Sequence, residues 1–254
     1  MTSEIAARRL LSRVLNGTMS NLLAIDTTDF SISLALMRDG ALVSERQIKD
    51  PGVAEHLISN IRLLLGEEKI CFGDLDKIAI IVGPGSYTGI RSGLATVLGI
   101  CLGAGNAIEI VSVSKLQAQA FFSVKAVAKP QIIFSLLTAN ALEYFAGVYY
   151  CEPHWWSPLQ RIPTFIRITN GDNFSLYEMR PPTLVPKSEL EAFTENIPAD
   201  FKDIDVTKII DADINFASVA AAMADIIQTT TGISELKPLY IKPVNAKTLA
   251  EREG

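Results

Sequence analysis

A glycine turn between an apolar segment and a helix constrains this chain more than any other feature of its sequence. Residues 78–82 are all apolar, which predicts a strand that is covered on both faces. The turn Gly83-Pro84-Gly85 follows, and its two glycines can adopt positive φ angles without steric cost. Residues 88–103 then predict a helix. The chain must therefore fold as a buried strand that reverses sharply into a helix.

The same turn has two interpretations. Free N–H groups at a helix N-terminus attract anions, so the turn can form a phosphate site, with Ser86 or Thr88 capping the helix. Alternatively, the glycines serve only the reversal of the chain. No lysine follows the turn, so it is not a P-loop of the G-x-x-x-x-G-K type.

The helix that follows the turn carries a stripe of small residues. At about 100° per residue, these residues lie within about a third of the helix circumference. Each glycine in a free helix costs about 1 kcal/mol relative to alanine, so close approach by another element must offset the loss. That element is either the chain's own sheet or a helix of a partner. The stripe consists of Gly89, Ser92, Gly93, Thr96, Gly99 and Gly103.

The order of the predicted elements indicates the fold class. Residues 22–25, 30–36 and 41–48 predict three antiparallel strands, and residues 53–65 predict a helix with one apolar face. After residues 78–82 and 88–103, residues 108–113 predict a strand, and a helix capped by Ser114 runs to about Val124. This β-β-β-α-β-α-β-α order is typical of the ribonuclease-H-like α/β core. Duplicated, that core forms the two-lobed superfold of actin, sugar kinases and heat-shock chaperones.

The second half of the chain supports duplication less clearly. Residues 131–137 and 143–150 predict strands, residues 216–229 predict a helix, and the proline-rich stretch 151–198 predicts irregular structure. We expect residues 19–124 to form the first lobe and residues 125–254 the second. We expect residues 1–18 to be a disordered extension or to come from an upstream start codon, with a targeting presequence as the alternative.

A polar turn after the first predicted strand lies where this superfold places a phosphate loop. The turn Asp26-Thr27-Thr28-Asp29 contains no glycine, so the backbone cannot approach phosphates as it does in the superfold's nucleotide sites. We expect the two turns to form a vestigial nucleotide site that requires no cofactor and binds ATP or ADP at most weakly. The predicted residues of this site are Asp26, Thr27, Thr28, Gly83, Gly85 and Ser86.

Composition narrows the functional classes. The formal net charge is −5 and no long basic run is present, so another subunit should supply most of the affinity for any RNA. The three cysteines, Cys71, Cys101 and Cys151, match no metal or redox spacing and suit a reducing, cytoplasmic location. His56 and His154 are isolated from each other, and we expect no metal, no catalytic residue and no membrane association.

Several motifs resemble the TsaB (YeaZ) family, which is required for threonylcarbamoyl modification of the tRNA adenosine beside the anticodon. The resemblance is strong over residues 21–120, patchy in the middle and present again near the end. The string around the glycine turn carries most of its specificity. The matching strings are Leu23-Ala24-Ile25-Asp26-Thr27-Thr28, Gly83-Pro84-Gly85-Ser86-Tyr87-Thr88-Gly89-Ile90-Arg91 with Gly93, Val111-Ser112-Val113-Ser114-Lys115-Leu116 and Pro238-Leu239-Tyr240-Ile241-Lys242-Pro243.

The resemblance implies a non-catalytic scaffold that acts through partners. These partners are the catalytic paralogue TsaD and the ATPase TsaE. The chain would contact tRNA only through the complex, and in the absence of its partners it would form a homodimer. It also implies that the helices at residues 53–65 and 88–103 pack against the same pair in the partner. The residues that this interface would use are Leu57, Ile61, Gly89, Gly93, Thr96 and Ile100.

One segment departs from the family pattern. Many members have Asp-Ala-Arg before a glutamate and an aromatic residue, whereas this chain has Thr138-Ala139-Asn140 before Ala141, Leu142, Glu143 and Tyr144.

The alternative function is an ATP-binding small-molecule kinase or ATPase of the same superfold. A self-associating structural protein is a third class, and an older family label, glycoprotease, would need a metal or nucleophile that the sequence does not offer.

Overall fold

The computed structural model describes most of the chain between residues 20 and 241. The described residues are 20–29, 31–49, 53–104, 108–124, 129–153, 167–170, 174–196, 204–226 and 231–241. The predicted extension at residues 1–18 and His154 lie outside these ranges.

Strands and helices alternate in two blocks along the chain. The strands are β1 (Asn21–Asp26), β2 (Ser31–Arg38), β3 (Ala41–Lys49), β4 (Lys77–Ile81), β5 (Glu109–Val113), β6 (Gln131–Thr138), β7 (Glu143–Pro153), β8 (Arg167–Asn170), β9 (Phe174–Pro186) and β10 (Asp205–Ile210). The α-helices are α1 (Val53–Glu67), α2 (Tyr87–Gly103), α3 (Lys115–Ser123), α4 (Leu190–Glu195) and α5 (Phe216–Ile226).

The first sheet has the strand order β3-β2-β1-β4-β5. β1 pairs antiparallel with β2, which pairs antiparallel with β3, whereas β1, β4 and β5 are parallel. The three-strand meander followed by parallel strands is thus confirmed. All six residues of β1 are buried because the strand is central and covered on both faces.

Helix α1 covers one face of this sheet with a regular apolar stripe. Leu57, Ile61 and Leu64 recur at a spacing of four and three residues and are fully buried. They share a core with the β-strand residues Leu23 and Leu34. The opposite side of α1 is solvent-exposed, as the sequence pattern predicts.

The second sheet repeats the arrangement of the first, with the order β10-β6-β7-β9-β8. Strands β6, β7 and β9 form an antiparallel meander, and β10 pairs parallel with β6 on its other side. They therefore correspond to β1, β2, β3 and β4 of the first sheet. Two sheets with this shared topology confirm the duplicated ribonuclease-H-like α/β fold with two lobes.

The prediction of irregular structure over residues 151–198 is wrong for the described part of that stretch. Strand β9 runs for 13 residues and is followed by α4. Its two consecutive prolines, Pro181 and Pro182, belong to the proline-rich stretch that predicts irregular structure. They lie between Arg180, which pairs with Val148, and Thr183, which pairs with Ala146, so they occupy an irregularity in the ladder. A bulge tolerates proline because the ladder hydrogen bond is already missing there.

The two lobes exchange helices. Helix α3 follows the first sheet in the chain, but its Leu116 shares a core with Ile133 and Tyr149 of the second sheet. Helix α5 belongs to the second half, but the same core joins its Ala220 to Ala24 of the first sheet. One apolar core therefore runs through both lobes.

The expected division into residues 19–124 and 125–254 stays a prediction, and contacts between the two halves cross it. The division separates the two sheets, but residues 216–226 return to the first lobe, where the Lys77 ammonium donates to the Ala224 carbonyl at 2.9 Å. The C-terminal segment 231–241 also returns to that lobe. There Thr231 N–H donates to the Ile110 carbonyl at 2.6 Å and Leu236 is buried. The described residues 216–226 and 231–241 of the second half therefore contact the first lobe.

Candidate functional site

The two turns that the sequence assigns to a vestigial nucleotide site meet in the structure. The Ser86 N–H donates to the Thr28 carbonyl at 2.6 Å, and the Thr27 hydroxyl donates to the Gly89 carbonyl at 2.8 Å. A Cβ atom at Gly85 would lie 2.4 Å from the Thr28 carbonyl oxygen. Glycine is therefore required at this position so that one turn can approach the other, and the turns fill each other's space.

The positive-φ glycines also receive contacts from outside the turns. Gly83 has φ +123°, and a Cβ there would lie 2.7 Å from the Leu239 carbonyl oxygen. The Leu239 N–H donates to Val82 at 2.7 Å, and the Lys115 N–H donates to Gly83 at 2.7 Å. The C-terminal segment and the start of α3 thus hold the glycine turn in place.

Ser86 is the N-cap of α2, as one of the two predicted alternatives states. Its hydroxyl accepts a hydrogen bond from the Gly89 N–H at 3.2 Å. The Ser86 N–H already donates a hydrogen bond to the Thr28 carbonyl, so this amide cannot donate to an anion. The donors that a phosphate would need at this turn are partly used within the chain.

Asp26 organises the other turn from a buried position. Its carboxylate accepts hydrogen bonds from the N–H of Thr28 at 2.8 Å and from the Thr28 hydroxyl at 2.7 Å. Desolvation by burial raises the pKa of Asp26 above its ordinary value, although the charge of Lys115 opposes the rise. Asp26 therefore acts within the loop as a hydrogen-bond acceptor.

An interlobe cleft of about 180 Å³ lies beside these turns. The ammonium of the buried Lys115 lines it, pairs with the Asp29 carboxylate at 2.5 Å and lies 4.6 Å from the centre of the Phe216 ring. Among the described residues, two carboxylates and one ammonium line the cleft, so their net charge disfavours a polyphosphate. The lining residues are Asp29, Pro84, Gly85, Lys115, Leu137, Thr138, Phe145, Asp211, Ala212 and Phe216.

The segment that departs from the family pattern lies at the edge of this cleft. Both Asp211 carboxylate oxygens accept hydrogen bonds from Thr138, from its N–H at 2.7 Å and from its hydroxyl at 2.5 Å. Asn140 donates to Glu143 at 2.6 Å and accepts from the Leu142 N–H at 2.8 Å. Thr138 and Asp211 therefore pair with each other at the wall of the cleft, whereas Asn140 forms its hydrogen bonds within the turn.

The small-residue stripe of α2 divides into two sets. A Cβ at Gly89 would lie 1.9 Å from the Thr27 carbonyl oxygen, and one at Gly93 would lie 2.4 Å from the Thr27 hydroxyl. These two glycines face the first lobe's own interior, as do the fully buried Leu57 and Ile61 of α1. Four of the six residues assigned to a partner interface are therefore internal packing residues in this structure, and a fifth, Ile100, is buried in the same core but also lines the groove described next.

The second set lines an exposed groove of about 490 Å³ between α1 and α2, which we call the α1–α2 groove. Gly99 and Gly103 have open space where a Cβ would stand. Leu63 on α1 and Leu102 on α2 are 57% and 63% exposed, so both helices present apolar surface to solvent. The lining residues are Ile58, Phe72, Gly73, Thr96, Gly99, Ile100, Gly103 and Ala104.

The other candidate reactive side chains do not assemble into a site. Burial raises the pKa of Cys101, and it raises the pKa of Cys151 to about 12, so neither thiol ionises near neutral pH. Cys71 and His56 are exposed. Within the described ranges, no cluster of three or more His, Cys, Asp or Glu side chains could bind a metal. No helix in those ranges is long and apolar enough to cross a membrane.

Sequence reasoning did not identify the cleft residues Lys115, Asp211 and Phe216. They come from three elements that are distant in the chain, and only the exchange of α3 and α5 brings them together. One sequence feature could have indicated that Lys115 is buried: it directly follows an apolar strand and an N-cap serine.

Comparison with known proteins gives a family match over the region that contains the groove. The profile of the family "TsaD: tRNA N6-adenosine threonylcarbamoyltransferase" matches residues 52–140. The chain is 29% identical over 99 residues to the tRNA threonylcarbamoyladenosine biosynthesis protein TsaB of Escherichia coli and 32% identical over 100 residues to that of Bacillus subtilis. These alignments cover 39% of this chain and 42% and 43% of the relatives, so the chain spans less than half of their length.

Two solved structures share the fold over nearly the whole chain. YeaZ from Pseudomonas aeruginosa superposes with a TM-score of 0.61 at 18% identity, covering 87% of this chain and 99% of that protein. A second structure, described as an uncharacterized protein with similarity to the peptidase YeaZ from Pseudomonas aeruginosa, gives 0.61 at 20% identity and covers 88% and 100%. The chain is therefore similar in sequence to TsaD and TsaB proteins over part of its length, and it shares its fold with YeaZ over most of its length.

Proposed function

We propose that this protein is a non-catalytic scaffold subunit of the complex that installs the threonylcarbamoyl group on the tRNA adenosine adjacent to the anticodon. In this role it supports a TsaD-type catalytic subunit by docking a helical surface against it. The observation that carries the proposal is the α1–α2 groove, an exposed apolar surface beside two glycines that have open space.

The shape of the groove suits a helix as its occupant. Gly99 and Gly103 lie one turn apart on α2, so a partner helix can approach the α2 backbone closely there. Ile58 and Ile100 supply apolar walls, and apolar surfaces of this kind mark interaction sites on soluble proteins. The TsaD family profile spans both helices, so a TsaD-type partner would present a related helix pair to this one.

The chemistry of the interlobe cleft supports a scaffold over an enzyme. The turns that would hold phosphates contact each other instead, through Ser86 and Thr28. Lys115 is paired with Asp29 and cannot bind a phosphate without losing that partner. A kinase or ATPase of this fold needs both phosphate loops open to the cleft, so no feature of the described residues favours that alternative.

The remaining partners follow from the same proposal. A TsaE-type ATPase would join the assembly, tRNA would bind only through the complex, and the chain alone would use the α1–α2 groove to form a homodimer. No cofactor is required, and ATP or ADP would bind at most weakly beside Asp26.

Site-directed crosslinking in a reconstituted complex tests the proposal. In a Cys71→Ser background, which removes the exposed native thiol, Gly103→Cys should crosslink to the cognate TsaD-type subunit through a short bifunctional reagent. Gly66→Cys is the matched control, because Gly66 is also an exposed helical glycine with open space but does not line the groove.

The expected result is a crosslink at position 103 and none at position 66, together with no threonylcarbamoyl transfer by the chain alone. Equal crosslinking at both positions would remove the groove from the interface. Transfer activity by the isolated chain would contradict the non-catalytic role.

A further inference from the structure

Two exposed tyrosines and an arginine form a stack at the N-terminus of α2. The rings of Tyr87 and Tyr240 lie 5.1 Å apart between centroids with an interplanar angle of 27°. The Arg91 guanidinium lies 4.8 Å from the centroid of the Tyr87 ring and donates to the Tyr87 hydroxyl at 2.7 Å. Tyr87 and Tyr240 are 40% and 39% exposed, and Arg91 is also exposed. We call this feature the tyrosine stack.

The tyrosine stack is held rigidly by elements that the rest of the lobe fixes. Tyr87 and Arg91 stand one turn apart on α2, so their side chains meet on one face of the helix. Tyr240 follows Leu239, whose N–H donates to the Val82 carbonyl at 2.7 Å. The two rings are thus already in contact in the structure, so a ligand that adds to them need not bring them together.

We propose that the tyrosine stack binds an unpaired nucleobase of RNA, with the base stacking on Tyr240 and Arg91 contacting the neighbouring phosphate. The contact with Tyr87 uses one face of the Tyr240 ring, so a base would extend the stack from the other face. This inference rests on the proposed function, which brings tRNA to the complex, and it assigns the chain a direct RNA contact.

The chemistry of the stack favours a single-stranded RNA over a protein partner. None of its three residues lines the α1–α2 groove, and aromatic faces with an adjacent arginine are the usual means of binding unpaired bases. The exposed Lys237 lies three residues before Tyr240 and gives that segment a cation of its own. The chain is acidic overall, so this contact would guide one base rather than supply the main affinity for RNA.

RNA binding by single-residue variants tests the inference. The probes are an RNA hairpin with an unpaired loop and a fully paired RNA duplex, titrated against the complex of the chain with its TsaD-type subunit. Tyr240→Ala should weaken hairpin binding by about tenfold, because stacking on one aromatic ring is lost. Tyr240→Phe should restore it, and duplex binding should not change. Phe122→Ala is the control, since Phe122 is exposed to the same extent at 39% but lies on α3.

Photocrosslinking gives a second measurement, which identifies the contacting peptide directly. A hairpin with 5-iodouridine in its loop, irradiated with the complex of the chain and its TsaD-type subunit, should crosslink to the peptide that contains Tyr240. Unchanged hairpin affinity of Tyr240→Ala, or a crosslink only elsewhere, would overturn the RNA contact while leaving the scaffold role intact. Loss of TsaD binding rather than RNA binding in Tyr240→Ala would overturn it in favour of a protein contact.

Discussion

At the scale of single residues, the glycines of α2 have different roles despite their shared helical stripe. Gly89 and Gly93 allow the helix to approach Thr27, whereas Gly99 and Gly103 face open space. The sequence placed all four on one surface because helical periodicity gives only relative angles. It contains no information about how far the neighbouring loop extends over the first turn of the helix.

Alanine substitutions separate the two roles. Gly89→Ala should destabilise the protein by roughly 1–3 kcal/mol, because its Cβ would overlap the Thr27 carbonyl oxygen. Gly99→Ala should stabilise it by about 0.5–1 kcal/mol, because alanine favours the helix and nothing obstructs its Cβ. Urea unfolding measures both changes, and equal effects of the two substitutions would contradict the assignment.

Asp26 gives the protein a pH-dependent stability that its amide variant should lack. Burial raises the pKa of Asp26 in the folded state above 3.8, its ordinary value. Stability from this group is therefore complete below pH 3.8 and is lost as the pH rises through the folded-state pKa. Asp26→Asn keeps an oxygen acceptor for Thr28 but cannot ionise, so it should be more stable than the parent at neutral pH.

Parallel unfolding measurements of the parent and Asp26→Asn across the acidic range check this sign. The difference between them should vanish at the acidic end and grow as the pH rises. A variant that becomes less stable relative to the parent with rising pH would show that the folded state favours the charged carboxylate.

At the scale of elements, the first half of the fold follows from the sequence pattern, whereas in the second half the pattern predicts β6, β7 and α5 but not β9. The alternation in β2 and the apolar stripe of α1 are visible because each element has one buried face. Strand β9 was missed because Pro181 and Pro182 sit at a ladder irregularity, which depends on the pairing with β7. The groove was only partly predicted, since Phe72 and Gly73 reach it from a separate 3-10 turn.

Helix α3 is fixed to the second sheet by the buried side chain of Gln119. Its amide nitrogen donates to the Ser135 hydroxyl at 3.0 Å and to the Leu136 carbonyl at 3.0 Å, and its oxygen accepts from the Ala212 N–H at 2.9 Å. Gln119→Leu would leave these groups buried and without this partner. We expect a loss of about 2–4 kcal/mol in the free energy of unfolding, measured by chemical denaturation.

A matched change on the same helix distinguishes this mechanism from a general effect on α3. Phe122→Leu alters an exposed side chain three residues after Gln119 on the same helix. It should change the free energy of unfolding by less than about 0.5 kcal/mol. If Gln119→Leu is equally mild, the buried amide does not hold the helix to the sheet.

At the scale of the whole molecule, one apolar core passes through both lobes because α3 and α5 are exchanged between the sheets. The described residues should therefore unfold as one cooperative unit, rather than lobe by lobe. Thermal unfolding followed by near-ultraviolet circular dichroism, which reports aromatic packing, and by far-ultraviolet circular dichroism, which reports the backbone, should give coincident midpoints. Two separated midpoints would show that the lobes are independent.

The central claim is that the α1–α2 groove binds a TsaD-type subunit, and a tryptophan scan of two exposed glycines tests it most directly. Gly99→Trp adds an indole to the groove from a position where a Cβ meets no atom within 4 Å, whereas Gly66→Trp adds the same bulk outside the groove. Calorimetric titration against the cognate TsaD-type subunit should show that Gly99→Trp weakens binding by about 30-fold or more, a typical loss at an interface hot spot. Gly66→Trp should bind as the parent does. Unchanged affinity of a folded Gly99→Trp variant would contradict the account.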